Sequence, residues 1–568
     1  MAKGFSHFGI IYSRKFETGE KSPAGNFYGF EDFAVLSFGQ LNKKTRVELE
    51  SKLVALEKKH KFPVESVVYL NEKSGAIKFK FTRKSKLPPR LYPKILLEMK
   101  KGILAALPLE YVNSWFSRQV TFAYKEDVLC QGERLGFGVG IGKIFTSRKK
   151  VQKAIAAKKK VIWVLDEVET EDLKFFKDLE GLVLVNSGPT SHASVVAKGL
   201  GIPTLLGCAE LAKKDYAEKT VTLDANKGVV YRGGQKLSSV KTHEGVQELL
   251  SLALKNSKID IYANADNGDD AKKAYKLGAK GIGLCRTEHM FFSDQAVKVI
   301  RKILFSEKPS AKEYQELLKI QSRDFLAIFR QSKKKEVVVR LLDAPLHEFL
   351  PRNSKTNLKK ESNPMLGFRG IRMLLKKPEI LRIQVRAVQF ALSKINKKER
   401  PKIIFEAPLV IDLKELDIFK DLIEQEVGES KIGAMIETPR AAFMIKEIAT
   451  RVDYISFGTN DLTQMFMAIS RDDSRSFVED YVQMGILPSD PFVSLDQESL
   501  LPLIRWAVKT ARKVNPKIKI GVCGEQASEI ESIKQLIKLE IDHISCSPAR
   551  VPQAIFAVAK YSKKSHTS

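Results

Sequence analysis

Apolar residues in this chain fall into short runs separated by stretches of helical period. Over residues 257–562 the runs recur eight times: Ile259–Ala263, Gly281–Leu284, Val337–Leu342, Ile403–Phe405, Gly433–Ile436, Tyr454–Phe457, Ile518–Val522 and Ile541–Ser545. Helical patterns lie between them, and eight strand–helix units in succession predict a (β/α)8 barrel. The front of the chain is mixed. Gly9–Ser13 and Phe33–Phe38 read as strands, and Arg46–Lys59 carries Val47, Leu49, Leu53, Val54 and Leu56 on a largely helical period. Val67–Leu70 and Ile77–Phe81 flank Asn71–Gly75 as a hairpin, and Tyr92–Leu107 reads as a second helix. Residues 1–125 are therefore expected to form a short α+β unit.

Residues 126–235 predict a compact α/β domain with strands at Val161–Leu165, Gly181–Val185 and Val221–Asp224. Between Glu133 and Lys143 the glycines alternate: Gly136, Gly138, Gly140 and Gly142. That spacing suits a β-edge or a swivelling β-turn, and it is a poor match to a dinucleotide loop, which needs a following helix and a later acidic residue. Residues 236–256 read as a polar linker running into a helix, and 563–568 as a tail.

One turn of the second unit stands out. After the apolar run come Gly188 and Pro189, then Thr190-Ser-His192 and an apolar helix face. His192 is thus expected in the first turn of a helix, where free backbone N–H groups and the positive end of the dipole suit an oxyanion. A histidine there can carry a phosphoryl group on a ring nitrogen. From this stretch alone, a Ser/Thr cap beside an incidental histidine fits as well.

Composition narrows the class. The 568 residues suffice for several domains, and 43% hydrophobic with 29% charged residues is an ordinary globular balance. The formal net charge of +29 is spread over many short lysine runs, such as Lys43–Lys44, Lys333–Lys335 and Lys397–Lys398. No block carries the excess and no aromatic stripe accompanies it, so a solvated basic surface is expected rather than a nucleic-acid partner. Five scattered cysteines without a CxxC fit a reducing compartment. No apolar core segment follows Lys3, and no run is long enough to span a bilayer. These features predict a cytoplasmic protein with no membrane partner.

The polar residues that punctuate the barrel pattern carry the candidate chemistry. Arg286-Thr-Glu-His follows the second run, Arg340 and Asp343 close the third, and Glu437 follows the fifth. Thr459-Asn-Asp461 follows the sixth, and Cys523-Gly-Glu525 the seventh. In a (β/α)8 barrel the active site lies on the loops after the C-terminal strand ends, where all five clusters fall. Glu437 and Asp461 suit a Mg²⁺ ion, although a pair of helix N-cap acids fits the same positions. Arg286, Arg340 and Arg369 suit phosphate or carboxylate, against the alternative of ion pairs with Glu288 or Asp343. Asn460 offers a neutral donor to a substrate oxygen. Cys523 suits proton donation to an enolate carbon, though most free cysteines are small buried hydrophobes. A divalent cation, several arginines, a carbon acid and a histidine acceptor together fit phosphoenolpyruvate.

These residues stand in long, specific motifs. Gly281-Ile-Gly-Leu-Cys-Arg-Thr-Glu-His-Met-Phe-Phe292, Arg340-Leu-Leu-Asp-Ala-Pro-Leu-His-Glu-Phe-Leu-Pro351, Asn363-Pro-Met-Leu-Gly-Phe-Arg369 and Met435-Ile-Glu-Thr-Pro-Arg440 closely resemble the phosphoenolpyruvate-utilising enzymes. So do Ser456-Phe-Gly-Thr-Asn-Asp-Leu-Thr-Gln464, Ser470-Arg-Asp-Asp473, Cys523-Gly-Glu525 and Ser545-Cys-Ser-Pro-Ala-Arg550, while Thr190-Ser-His192 resembles the phosphohistidine signature. Pro345–Pro351 and Ser470–Asp473 resemble the pyruvate, phosphate dikinase branch more than the sugar-transport enzyme I branch.

The resemblance implies an α/β chain: a phosphohistidine swivelling domain, a phosphoenolpyruvate/pyruvate-binding TIM barrel, and an N-terminal remnant resembling only the end of an ATP-grasp domain. It implies phosphoryl transfer between phosphoenolpyruvate and His192. Arg286, Arg340, Arg369, Thr459 and Asn460 then bind substrate, Glu437 and Asp461 hold Mg²⁺, and Cys523 protonates the enolate to pyruvate. It also implies a homodimer through the barrel. At the hairpin, Phe81-Thr-Arg83 replaces the Gln-Thr-Arg of the resembled nucleotide fold, with Glu65 at the companion acidic position. The ATP half-reaction is therefore expected to be lost, or supplied by a separate ATP-grasp chain. A donor to a carrier protein and a catalytically silent relative remain the alternatives.

Overall fold

The computed structural model describes residues 7–12, 24–29, 35–37, 47–53, 55, 64–70, 77–84, 104, 109 and most of 112–562. Within that last span, residues 118–119, 121–124, 167, 170–171, 188–191, 238–244, 292, 307–308, 346–348, 350–360, 362 and 472–476 are not described. The chain divides into two compact units, residues 1–115 with 241–249, and residues 116–240 with 250–568.

The first unit contains an antiparallel sheet of β1 (His7–Tyr12), β2 (Ala24–Gly29), β3 (Val35–Ser37), β4 (Val64–Leu70) and β5 (Ile77–Lys84), in the order β3-β2-β1-β4-β5. The β4–β5 hairpin matches the expected one and is longer at both outer ends. β2 was not legible, because Ala-Gly-Asn-Phe-Tyr-Gly has no alternating apolar face. Its register with β1 and β3 makes it a strand. The helix expected at 92–107 lies outside the described residues apart from Leu104, as do the side chains of Glu65 and Phe81.

The second unit begins with an eight-stranded mixed sheet. Its strands are β6 (Val128–Gln131), β7 (Glu133–Arg134), β8 (Val139–Phe145), β9 (Val161–Leu165), β10 (Gly181–Leu184), β11 (Thr204–Leu206), β12 (Thr220–Asp224) and β13 (Val229–Arg232). The order is β6-β13-β12-β8-β9-β10-β11-β7. The glycine-rich stretch is therefore split: β7 lies at an edge, but β8 is central, contrary to the expected edge or turn. The reason is steric. A Cβ at Gly140 would lie 1.9 Å from the Glu180 carbonyl oxygen, and one at Gly142 would lie 2.9 Å from that of Lys160. Only glycine lets those connecting segments cross so close to a central strand. One face of the sheet packs Trp163, Phe176 and Leu184, and the other packs Ile162, Val183 and Leu223.

The rest of this unit is a closed barrel of eight parallel strands: β14 (Asp260–Asn264), β15 (Ile282–Arg286), β16 (Glu336–Arg340), β17 (Lys402–Ala407), β18 (Lys431–Ile436), β19 (Tyr454–Gly458), β20 (Lys519–Cys523) and β21 (His543–Cys546). Each coincides with one of the eight apolar runs to within two residues at its start. Register carries the polar residues to one rim. Arg286 pairs with Arg340, Arg340 with Glu406, and Gly458 with Cys523. Among the described residues no helix is long and apolar enough to cross a membrane.

Candidate active site

The rim is built around one buried carboxylate, Asp343, just past the end of β16. Arg369 grips it twice, Nε donating to Oδ1 at 2.8 Å and Nη2 to Oδ2 at 2.6 Å. Arg340 approaches the same Oδ2 through Nη1 at 3.1 Å, and its Nη2 donates to Glu288. Burial alone would favour the neutral acid. The guanidinium groups of Arg369 and Arg340 overcome that and hold the Asp343 carboxyl below its usual range. Asp343 fixes two guanidinium groups side by side before any ligand arrives. Arg286 is the register neighbour of Arg340 on β15 but does not share Asp343, and it makes no ion pair with a described residue. Its charge acts instead on Cys523 and Glu525. The structure thus places all three expected arginines at the rim by strand register and loop, and fixes two of them on Asp343. The ion pairs offered as the alternative reading are present too, but Arg340, Arg369 and Asp343 are all buried rather than on a surface.

Glu437 follows β18 and is 1% exposed. It is not a helix cap: Thr438 caps the next helix by accepting from the Ala441 N–H at 3.1 Å. One Glu437 oxygen accepts from the Leu409 N–H at 2.6 Å, and the other, Oε2, has no partner. A Cβ at Gly458 would sit 2.7 Å from that free oxygen, so glycine leaves the space beside it open. Burial, then Asp461 and Asp343, push the Glu437 carboxyl well above its usual range. Asp461 lies in the first turn of the helix Thr459–Met467 and accepts from Arg369 Nη1 at 3.2 Å. A buried acid with an unpartnered oxygen, raised by a second acid nearby, fits a site meant for a hard cation. Two carboxylates suit Mg²⁺, which keeps most of its other positions for water or substrate. No cluster of three or more metal-ligating side chains occurs among the described residues.

Thr459 is fully buried, and its hydroxyl lies 2.8 Å from both the Cys523 carbonyl oxygen and Gln526 Oε1. Asn460 accepts from the Glu525 N–H at 3.2 Å. Both side chains therefore brace the loop after β20, and what they offer a substrate is the remaining amide of Asn460 and the helix start. Gly524 makes this packing possible. Its φ is +110°, and a Cβ there would come within 2.0 Å of the Thr459 hydroxyl. Cys523 is 3% exposed, packs on Leu284 and Met435, and points its thiol at the Phe457 carbonyl oxygen, 3.5 Å away. Burial and then the Glu406 carboxylate push its thiol up to about 12. It stays protonated, as a proton donor must.

Sequence reasoning missed Asp343 as the anchor, gave Ser456 no role beyond opening a motif, and missed Gln526 and Glu406 altogether. Glu406 left a signal: it is the one charge between the apolar Ile403–Phe405 run and Ala407-Pro-Leu. His192 is the first residue of the helix His192–Leu200, as expected, though the preceding turn and its side chain lie outside the described residues. So do much of Pro345–Pro351 and residues 472–473. The far end of the histidine helix meets the barrel rim, since a Cβ at Gly201 would fall 2.4 Å from Ala549 Cβ, in the loop after β21.

The family model "PEP-utilising enzyme, PEP-binding domain" matches residues 241–563, and "PEP-utilising enzyme, mobile domain" matches residues 157–228. The chain belongs to the PEP-utilising enzymes. Among curated members, the pyruvate, phosphate dikinase of Clostridium symbiosum is 35% identical over 74% of this chain and 54% of its own length. That of Rickettsia bellii is 35% identical over 81% and 58%, and the chloroplastic enzyme of Flaveria pringlei is 37% identical over 77% and 51%. The chain spans about half the length of the curated relatives it matches. Among solved structures, a citrate lyase from Burkholderia xenovorans is similar at 11% identity and a TM-score of 0.31, over 53% of this chain and 76% of that one. Within the PEP-utilising family, the mobile-domain match covers the His192 helix and the PEP-binding match covers every rim residue described above.

Proposed function

We propose that this PEP-utilising protein moves a phosphoryl group between phosphoenolpyruvate and His192, forming pyruvate. The observation that carries the reading is the pair of guanidinium groups locked on Asp343 beside a buried acid with a free oxygen and a protonated thiol. Arg340 and Arg369 present fixed positive charge to the transferring phosphoryl group and cost no reorganisation at the moment of transfer. Arg286, on the Cys523 side, faces the part of the substrate that becomes pyruvate. Glu437 and Asp461 are the residues that would hold Mg²⁺, which when bound neutralises charge on the phosphate and enolate oxygens. The Cys523 thiol gives its proton to the enolate carbon, and the C–H bond forms as the S–H bond breaks. The Asn460 amide and the helix start orient the carboxylate.

The acceptor beyond His192 belongs to the same proposal. A phenylalanine supplies no oxygen ligand to a nucleotide-bound cation. Phe81 therefore supports a reading in which these residues run the phosphoenolpyruvate/pyruvate half-reaction and another ATP-grasp chain or acceptor protein runs the other. A barrel-mediated homodimer is part of this reading. The experiment is incubation with labelled phosphoenolpyruvate and Mg²⁺, followed by mass spectrometry for phosphohistidine. Label is expected on His192 and absent in His192→Ala protein. Label retained by that variant, or none on the wild type, refutes the proposal.

A further inference from the structure

Glu406 has no place in the chemistry above, yet it lies inside the barrel. It is fully buried in β17, one strand along from Arg340. One of its oxygens accepts a 2.5 Å hydrogen bond from the Ser456 hydroxyl, reaching across from β19, and the other has no partner. Charged and polar groups reach it from three sides: Arg340 on β16, Ser456 with Tyr454 on β19, and Cys523 on β20. Ser456 pairs with Gly521, and Gly458 pairs with Cys523. The Glu406–Ser456 pair therefore sits one inward step, about 7 Å of strand, below the thiol.

The proposed reaction leaves a gap that this pair fills. Once Cys523 has given its proton to the enolate carbon, a thiolate remains in a site closed to bulk water, 3% exposed. We infer that Glu406 is the proton store for Cys523, a positioning residue that acts on the substrate only through the thiol. The inference rests on the role of Cys523 proposed above. In the pyruvate-forming direction the Glu406 carboxylic acid loses its O–H proton and the thiolate gains an S–H bond. In the opposite direction the carboxylate takes that proton back, freeing the thiolate to remove one from the pyruvate methyl group. Each pyruvate formed leaves Glu406 ionised, and a proton from water restores the acid before the next turnover. Burial raises the Glu406 carboxyl to about 7, against the Ser456 hydrogen bond and Arg340, which favour ionisation. A group poised there can both give and take a proton near neutrality. As pH rises through about 7 the store empties, so the pyruvate-forming rate is expected to fall on that limb and the reverse rate to rise.

Two measurements test this. The first needs no turnover: alkylation of Cys523 by iodoacetamide at pH 8.5, read by peptide mass spectrometry. Glu406→Gln keeps the Ser456 hydrogen bond and removes the charge that holds the thiol protonated, so the rate is expected to rise at least ten-fold. An unchanged rate overturns the inference. The second is rapid-quench reaction with phosphoenolpyruvate and Mg²⁺. Glu406→Gln is expected to form phosphohistidine within two-fold of wild type in this first turnover, which uses the proton already on the thiol. It is expected to exchange labelled pyruvate into phosphoenolpyruvate at least ten-fold more slowly over repeated turnovers, and there to lose the limb near pH 7. Ser456→Ala keeps the carboxyl and is expected to keep that limb, moved to higher pH. Equal slowing of both steps in Glu406→Gln makes the residue merely structural and overturns the inference. If the wild type itself forms no phosphohistidine, the proposed function fails, and the alkylation result still decides whether Glu406 governs the thiol.

Discussion

The two ends of the barrel use the same kinds of side chain for different ends. At the N-terminal end, Lys519 donates to Tyr262 at 2.9 Å and to Glu336 at 2.5 Å. His543 is stacked against Tyr262 with ring centres 4.1 Å apart, and its Nε2 meets the Tyr454 hydroxyl at 3.1 Å. Burial depresses His543 to about 3, so its ring stays neutral. This network is nearly closed, with His543 Nδ1 as its unpartnered atom. At the C-terminal rim the strong ion pairs coexist with several free buried atoms: Glu437 Oε2, Glu288 Oε2 and Arg340 Nε. Buried polar groups cost free energy unless satisfied, so a rim that leaves several open is arranged for something other than its own stability. The N-terminal network satisfies nearly all of its polar atoms, and the rim keeps several of its own open.

The comparison is most directly broken at Asp343. Asp343→Ala leaves Arg340 and Arg369 buried without their shared partner, a loss expected to cost about 3–5 kcal/mol. Urea denaturation checks this, and a loss below ~1 kcal/mol would mean that the rim does not depend on its anchor.

Glu406→Gln sharpens the contrast through pH. Its folded-state value of about 7, against an ordinary 4.5, means that the buried carboxyl prefers to be neutral. The stability tied to that neutral form is fully present below about pH 4.5 and is lost as pH rises through 7. The difference corresponds to roughly 3 kcal/mol. The variant is expected to be more stable than wild type at pH 8 by that order and equal to it at pH 4. Parallel melting curves of the two proteins across that range would refute the expectation.

At the closed end, Lys519→Met strands Glu336 and is expected to cost about 1–3 kcal/mol while leaving phosphoryl transfer to His192 intact. A large loss of transfer without unfolding would make the N-terminal network part of the site.

Glu437→Gln has the smallest expected effect on folding, under about 1 kcal/mol, because the native acid is already pushed toward its neutral form and the amide replaces it in shape. The same variant is expected to abolish phosphohistidine formation. Near-normal labelling of His192 in it would remove Glu437 from the proposed cation site.

The barrel was legible because a strand buried on both faces must be apolar throughout, and eight such runs leave few other architectures. The polar rim was legible for the same reason: Glu437, Asp461 and Cys523 are polar where the pattern asks for an end. Sequence alone could not say which groups would meet. Arg286, Arg340 and Arg369 look equivalent along the chain, yet only two converge on Asp343, because Arg369 returns on a loop between β16 and β17. Glu406 and Ser456 lie 50 residues apart and touch only because β17 and β19 share a layer of the barrel. Gly524 reads as any turn glycine until the Thr459 hydroxyl is found in the space its side chain would fill. Periodicity fixes which residues face inward. Closure of the barrel, which sets the register between distant strands, decides which of them become neighbours.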